Sequence, residues 1–281
     1  MFGGAEQAGI KIHAAIDTEI SRNHIYHTSR GLWLDWMAQG ARVSRNLLHD
    51  NLDEDLFVEV NHGPFVVDNN LFLSRISLLD WSEGGAYAHN LFTGRIVSRP
   101  ELGRQTPWHP AHSTVVASLS NIKGGDNRYY NNIFVGVAAT PTAAFAGDIY
   151  EPSKSVGHGL WVYDHREFPL QTGGNVYLNG ARPYKAESAA LVVPETVRVT
   201  LTEAPSGKFQ INFSPPTALA QAATKMVTTK WLGRARVPNL PYENADGTRL
   251  KVDTDFFGKR RDTTPTPGPF ENPGFGPIQL E

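Results

Sequence analysis

Six short stretches of this chain share one pattern: an asparagine or similar residue, then an aliphatic and usually an aromatic residue two and three positions on. They are NHIY from Asn23, NLLH from Asn46, NNLF from Asn69, HNLF from His89, NNIF from Asn131 and GNVY from Gly174, at steps of 23, 23, 20, 42 and 43 residues. The repeat is one of roughly 20 to 23 residues, with two repeats or an insertion inside each longer step. A period of that size marks a solenoid, in which sequence offsets become spatial neighbours. Asparagine beside β-branched and aromatic residues, without helical periodicity, points to an all-β chain wound as a right-handed parallel β-helix rather than a leucine-rich horseshoe. The recurring Asn23, Asn46, Asn69 and Asn131 are expected to stack as amide ladders at a turn.

A short strand precedes each early asparagine motif: GIKIHA (9–14), GLWLDW (31–36), DLFVEV (55–60) and ISLLDW (76–81). Side chains alternate across a strand. One face reads Ile10, Ile12, Leu32, Leu34, Trp36, Leu56, Val58, Val60, Leu79 and Trp81, and is the expected core. The other reads Lys11 and His13, Trp33 and Asp35, Phe57 and Glu59, Leu78 and Asp80. His13, Asp35, Glu59 and Asp80 are thus expected to form an outward column, one residue per coil.

Adjacent strands lie about 4.8 Å apart, so Asp35 and Glu59 are expected to hold their carboxyl groups roughly 5 Å from one another. A pair at about 5–5.5 Å suits a retaining glycosidase, in which one carboxylate attacks the anomeric carbon and the other protonates the leaving oxygen. Two such neighbours resist ionising together, which separates an acid from a nucleophile. Trp33 and Phe57, two residues earlier on the same face, could meet the apolar face of a sugar ring.

The runs AGIKIHAAIDTEI, GLWLDWMAQGARVSRNLLHDN and DLFVEVNHGPFVVDNNLFLS closely resemble the β-xylosidases of glycoside hydrolase family 120. The resemblance is specific over 5–75, looser to about 180 and weak beyond. It implies a right-handed parallel β-helix accompanied by a β-sandwich, and cleavage of xylo-oligosaccharides with retention. It also implies that Asp35 of WLDW is the nucleophile and Glu59 of FVEVNHGP the acid/base. In that family several hundred residues precede this point, so Met1 opens inside a coil. A second chain, or association between copies, is expected to cover the edge left there.

Other residues fill out the expected site. His13 could orient Asp35 or touch a sugar hydroxyl, His62 could bond a hydroxyl, and Asp80 could raise the proton affinity of Glu59 or bind the sugar. The segment 98–113 reads as an inserted loop whose Trp108, His109 and His112 could close over the site. No metal or other cofactor is expected: two histidines without cysteine are a weak ligand set. Asp50, Asp53, Glu54 and Asp55 lack the spacing of a calcium loop and read as a solvated acidic turn. GLWVYD (159–164) reads as a resumed coil that has lost its acid.

Residues 1–190 are read as the solenoid and 191–281 as an extension packed on it. The extension should hold an antiparallel hairpin over VRVTLTEAP and KFQINFSP, a helix over 217–229, and a Pro/Gly-rich end running along the surface. A net charge of −2 gives no reason to expect a nucleic-acid or anionic-membrane partner. No apolar run spans a bilayer and no secretion signal is legible, so a cytoplasmic location is the default. The expected partner is an oligosaccharide substrate. The competing classes are a non-catalytic carbohydrate-binding or structural β-helix and a polysaccharide lyase. A lyase needs a base with a cation or arginine beside it, and no outward arginine is evident near the acidic column.

Overall fold

The computed structural model describes residues 6–137, 152–274 and 276–280. Almost all of its regular structure is strand. The chain passes repeatedly through three sheets in a fixed order. The first circuit is β1 (Ala8–His13), β2 (Glu19–Ser21) and β3 (His24–Tyr26). Next come β4 (Arg30–Asp35), β5 (Arg42–Ser44) and β6 (Leu47–His49), then β7 (Leu56–Glu59), β8 (Phe65–Asp68) and β9 (Leu71–Phe72). The fourth is β10 (Ile76–Trp81), β11 (Gly85–Ala88) and β12 (Leu91–Phe92). β13 (Arg95–Ser98) starts a fifth, interrupted by β14 (Glu101–Trp108) and β15 (Ser118–Ile122) and completed by β16 (Arg128–Tyr130) and β17 (Ile133–Val135).

Each sheet collects one strand per circuit, and every neighbouring pair from β1 to β13 in the first sheet is parallel. β18 (Val156–Gly157) closes that sheet antiparallel to β13. β19 (Gln171–Gly173) extends the second sheet, and β20 (Val176–Leu178) with β21 (Leu191–Val192) the third.

The core follows from the period-2 alternation. Leu32, Leu34, Leu56, Val58, Leu78 and Ile96 of the first sheet point inward. They meet Val43, Val67, Tyr87 and Tyr129 of the second and Leu48, Phe72, Phe92, Phe134 and Tyr177 of the third. Rings in equivalent positions stack circuit upon circuit, with Phe72–Phe92, Phe92–Phe134 and Phe134–Tyr177 centroids 5.2, 5.1 and 5.2 Å apart.

The expected amide ladder exists, with a different membership. Each rung is Asn Nδ2 donating to the next Oδ1: Asn23 to Asn46 and Asn46 to Asn70 at 2.9 Å, Asn70 to Asn90 and Asn90 to Asn132 at 3.0 Å, Asn132 to Asn175 at 3.1 Å. The backbone N–H of each donor residue reaches the same oxygen. Asn69 and Asn131 stand one position before the rungs. They are the left-handed turn residues, like Arg22, Arg45 and His89, with φ of 58°, 58°, 57°, 56° and 58° for 22, 45, 69, 89 and 131. Asparagine tolerates that conformation, which is why NN and HN blurred the alignment. The direct Asn90–Asn132 and Asn132–Asn175 rungs make each long step a single circuit with an insertion.

Four local expectations change. GLWVYD is no strand: Leu160–Tyr163 form a 3₁₀ turn whose Leu160, Val162 and Tyr163 plug the core. Segment 217–229 is no helix: a 3₁₀ turn over Thr217–Gln221 gives way to extended backbone at Ala222. Leu219 and Ala222 bury in one cluster and Val227 in another, so tertiary contacts override alanine propensity. The Pro/Gly-rich end is largely covered, with Phe270 buried and Gly268 N–H donating to Asn131 O at 2.7 Å. The acidic turn is solvated only in part, at Asp50 and to a lesser degree Asp53. Asp55 is fully buried, accepting from Asn51 Nδ2 and Ser74 N–H, while Glu54 pairs with Arg30 at 2.6 Å. The hairpin does form, as β22 (Val199–Glu203) against β23 (Phe209–Phe213).

Two measurements test these interactions. Asn90→Ala removes the acceptor of the buried Asn70 backbone N–H and the side-chain donor to the Val67 carbonyl. Each such loss costs about 1–3 kcal/mol, so denaturant unfolding should show a deficit of several kcal/mol, far above that of Asn23→Ala at the end of the ladder. Burial raises the Glu54 carboxyl from 4.5 to about 7. An acid so raised favours the folded state below its unfolded pKa and loses that contribution as pH rises through the folded one. Thermal midpoints of the parent should therefore fall relative to Glu54→Gln between pH 4.5 and pH 7.

Candidate functional site

The first sheet sets out the site through its register. β1, β4 and β7 pair so that His13, Asp35 and Glu59 are successive Cα partners at their C-terminal ends. Neighbouring parallel strands lie about 4.8 Å apart, so the two carboxylates project side by side. The chain then turns sharply: Ala14, Trp36 and Val60, each following a column residue, have φ of 52°, 35° and 45°. For β-branched Val60 this left-handed region is costly. Asn61 holds that bend, donating to Leu34 O at 3.0 Å and Glu59 O at 2.9 Å and accepting from Ala38 N–H at 2.5 Å.

The two acids have different company. Asp35 is buried, and its Oδ2 accepts from Lys11 Nζ and His13 Nδ1, each at 2.9 Å. Lys11 Nζ also stands 3.8 Å from the Trp33 ring centroid and pairs with Glu6. The edge of Trp36 packs on His13, with centroids 5.4 Å apart. Glu59 Oε1 accepts from Arg104 Nη2 at 2.8 Å. Burial, then the neighbouring Asp35 charge, push the Glu59 carboxyl above its ordinary value, and the Arg104 guanidinium pulls partly the other way.

Arg104 and Asn61 were not legible as site residues, and Lys11 carried no role. Lys11 could have been found, since it alternates with His13 on the outward face. Arg104 could not, because it arrives from an insertion. Segment 98–113 is mostly strand, and β14 pairs antiparallel with β15. Its loop end is tied down by the residues expected to bind sugar. His62 is buried, its Nδ1 2.7 Å from Glu83 and its Nε2 3.1 Å from Thr106 O. His109 is buried too: its N–H donates to Gln39 Oε1 at 3.1 Å, and Gln39 Nε2 donates back to His109 O at 3.0 Å. His112 bridges Asp17 at 2.9 Å and Glu243 at 3.5 Å. Trp108 pairs with Ser118 beside the loop that joins the two strands.

Asp80 departs from the expected column. β10 pairs with β7 so that Trp81, not Asp80, is the partner of Glu59. A one-residue shift sends every side chain to the opposite face, so Leu79 and Trp81 lie outside and Leu78 and Asp80 inside. The repeated Leu-Asp-Trp of 34–36 and 79–81 suggested equal phase, but the two copies sit one residue apart. The interior carboxylate is stabilised by Ser82, Asn127 Nδ2 at 2.8 Å and Tyr163 Oη at 2.6 Å. Trp33 and Phe57 do point outward but are covered, forming a cluster with Leu79, Val97 and Val156. Their rings support the strands beneath the carboxylates and offer no open face to a ligand. Trp36, expected inside, is a partly exposed turn residue, whereas Val60 is a turn residue that is buried as expected.

Among the described residues no group of three or more His, Asp or Glu side chains could hold a metal ion. No helix among them is long and apolar enough to cross a membrane.

No protein-family model and no curated protein matches this chain. A solved structure described as the complex structure of XylC with xylose is similar over 100% of this chain, with 34% sequence identity and a TM-score of 0.86. The chain spans about half that protein's length (46%). The sheets described above are thus shared, end to end, with a protein that has been seen with xylose bound.

The counter-ion assignment can be checked directly. Arg104→Gln removes the cation that lowers Glu59, so a carbon-detected NMR titration of the Glu59 carboxyl should move to higher pH in the variant.

Proposed function

We propose that this chain forms a right-handed parallel β-helix carrying the two-carboxylate centre of a family 120 β-xylosidase, which hydrolyses β-xylosides and xylo-oligosaccharides with retention. The observation that carries this reading is the in-register pairing of Asp35 with Glu59 on adjacent parallel strands. Similarity to XylC, seen with xylose, supports the sugar.

On this reading Asp35 attacks the anomeric carbon while Glu59 gives its proton to the departing glycosidic oxygen. The bond to that oxygen breaks as the glycosyl ester to Asp35 forms. Glu59, now a carboxylate, takes a proton from water, whose oxygen displaces Asp35 and restores the original configuration. The surroundings suit the roles. Lys11 and His13 both donate to Asp35 Oδ2 and steady the attacking group. Glu59, raised by burial and by Asp35, keeps its proton nearer to neutral pH. Asp80 takes no part, since its carboxylate faces the core.

One observation favours a second reading. Arg104 beside Glu59 provides the arginine that a polysaccharide lyase requires. Unsaturated-uronate absorbance on pectin or alginate, without release from an aryl β-xyloside, would replace the glycosidase by a lyase. Xylose binding with neither activity would leave a carbohydrate-binding chain.

Release of phenol from an aryl β-xyloside tests the proposal. Asp35→Asn should abolish turnover, because an amide does not form the glycosyl ester. Glu59→Gln should fall by 10²–10⁴-fold on poor leaving groups, the usual share of general acid catalysis, and far less on good ones. Azide should rescue Glu59→Gln to a β-xylosyl azide with retained configuration. Rescue of Asp35→Asn with retention instead would reverse the two roles.

A further inference from the structure

The hairpin β14–β15 carries a built irregularity beside the candidate acid. Its ladder register shifts between Glu101 and Thr106, so residues 102–105 bulge out of the pairing. The bulge is held by side chains: Asn121 Nδ2 donates to Leu102 O at 2.9 Å and Arg104 O at 3.0 Å, and Glu101 Oε1 accepts from Gly103 N–H at 2.9 Å. Bulges of this kind re-aim a side chain next to active sites. Here the re-aimed side chain is Arg104, with one nitrogen on Glu59 and 47% of its side chain exposed.

A second guanidinium lies on the same flank. Arg99 is exposed and stands 4.5 Å from the centroid of Trp81, the residue that partners Glu59 on the next strand. The column is therefore asymmetric. On the Asp35 side the donors, Lys11 and His13, are spent on the Asp35 carboxylate. On the Glu59 side, Arg104 and Arg99 face solvent with most of their donors available.

Under the function proposed above, Glu59 protonates the leaving oxygen, so the Glu59 side receives the leaving-group sugar. A planar guanidinium matches a carboxylate in a two-point fork. We infer that Arg104 and Arg99 form a leaving-group subsite selective for a sugar that carries a carboxylate, so that the preferred substrates are uronate-bearing xylo-oligosaccharides. A uronate drawing Arg104 onto itself also withdraws the cation that lowers the proton affinity of Glu59. Glu59 thereby holds its proton more firmly when the acidic leaving group is in place.

The test is binding, independent of turnover. The Asp35→Asn chain is titrated calorimetrically with xylobiose and with xylobiose carrying glucuronate on its reducing-end xylose. The uronate sugar should bind roughly tenfold tighter, as one charge-assisted pair implies. The advantage should shrink with added salt. In Asp35→Asn/Arg104→Gln the two sugars should converge to within about twofold, Arg104→Lys should keep part of the difference, and Arg99→Gln should lose part of it. Both arginines are exposed, and an unchanged thermal midpoint checks folding. Equal affinities in the Asp35→Asn chain, or a preference that survives both Arg104→Gln and Arg99→Gln, would overturn the inference. Failure of the wild-type chain to cleave an aryl β-xyloside bears on the glycosidase reading alone, since the affinity ratio is read without hydrolysis.

Discussion

The asparagine ladder is the interaction on which the rest depends. Each rung ties one residue's backbone N–H and side-chain amide to a single oxygen on the next circuit, so it fixes both the height and the phase of every turn. A β-strand pairing can slip by one residue at little backbone cost, and each slip exchanges the two faces of the sheet. Short strands such as β9 and β12, two residues each, resist slippage poorly on their own. The ladder adds a buried penalty to any slip, because a displaced asparagine would leave donors unpaired in the interior. The stacked rings Phe72, Phe92, Phe134 and Tyr177 then gain from the phase so set.

That phase brings a hazard with it. Asp35 beside Glu59 stacks two acids on adjacent strands, an arrangement that is unfavourable by itself. The molecule meets it by distributing cations unequally. Lys11 comes from the preceding strand, one circuit below Trp33 in register, and reaches Asp35 directly. Arg104 comes from the inserted hairpin and reaches Glu59 from above. One carboxylate is thus held by the scaffold and the other by a removable arm. The His62–Glu83 pair and the Gln39–His109 exchange keep that arm's loop end rigid while its bulge stays exposed.

Much of this was legible in the sequence, for reasons that also mark the limits. The repeat, the inward Leu34 and Val58 and the neighbouring Asp35 and Glu59 follow from periods that strand geometry imposes on any sequence. The phase of a single circuit does not: two copies of Leu-Asp-Trp look equivalent, yet only pairing decides that Asp80 faces Tyr163 while Asp35 faces outward. Burial of Asp55 and Glu54 was hidden for a similar reason, since a run of acids reads as solvated until their partners Asn51, Ser74 and Arg30 are assembled around them. Insertions are the least legible part, because Arg104 meets Glu59 and Thr106 meets His62 through contacts no local pattern encodes.

The histidines show how a single residue type divides between chemistry and architecture. His13 ends a strand whose outward face is open, so its ring reaches Asp35 while half its side chain stays exposed. His62 comes three residues after Glu59, just past the same sheet, yet its ring is enclosed between Glu83 and Thr106. Both nitrogens of His62 are engaged, which leaves nothing for a ligand and makes the ring a strut between the circuit and the hairpin. The hairpin's reach toward Glu59 therefore originates in a residue that never touches the site. Charge at the acid depends on Arg104, Arg104 depends on the bulge, and the bulge is held at the right height by His62 and His109. A change at either histidine should act on Glu59 only through the position of that guanidinium, whereas a change at His13 acts on Asp35 directly.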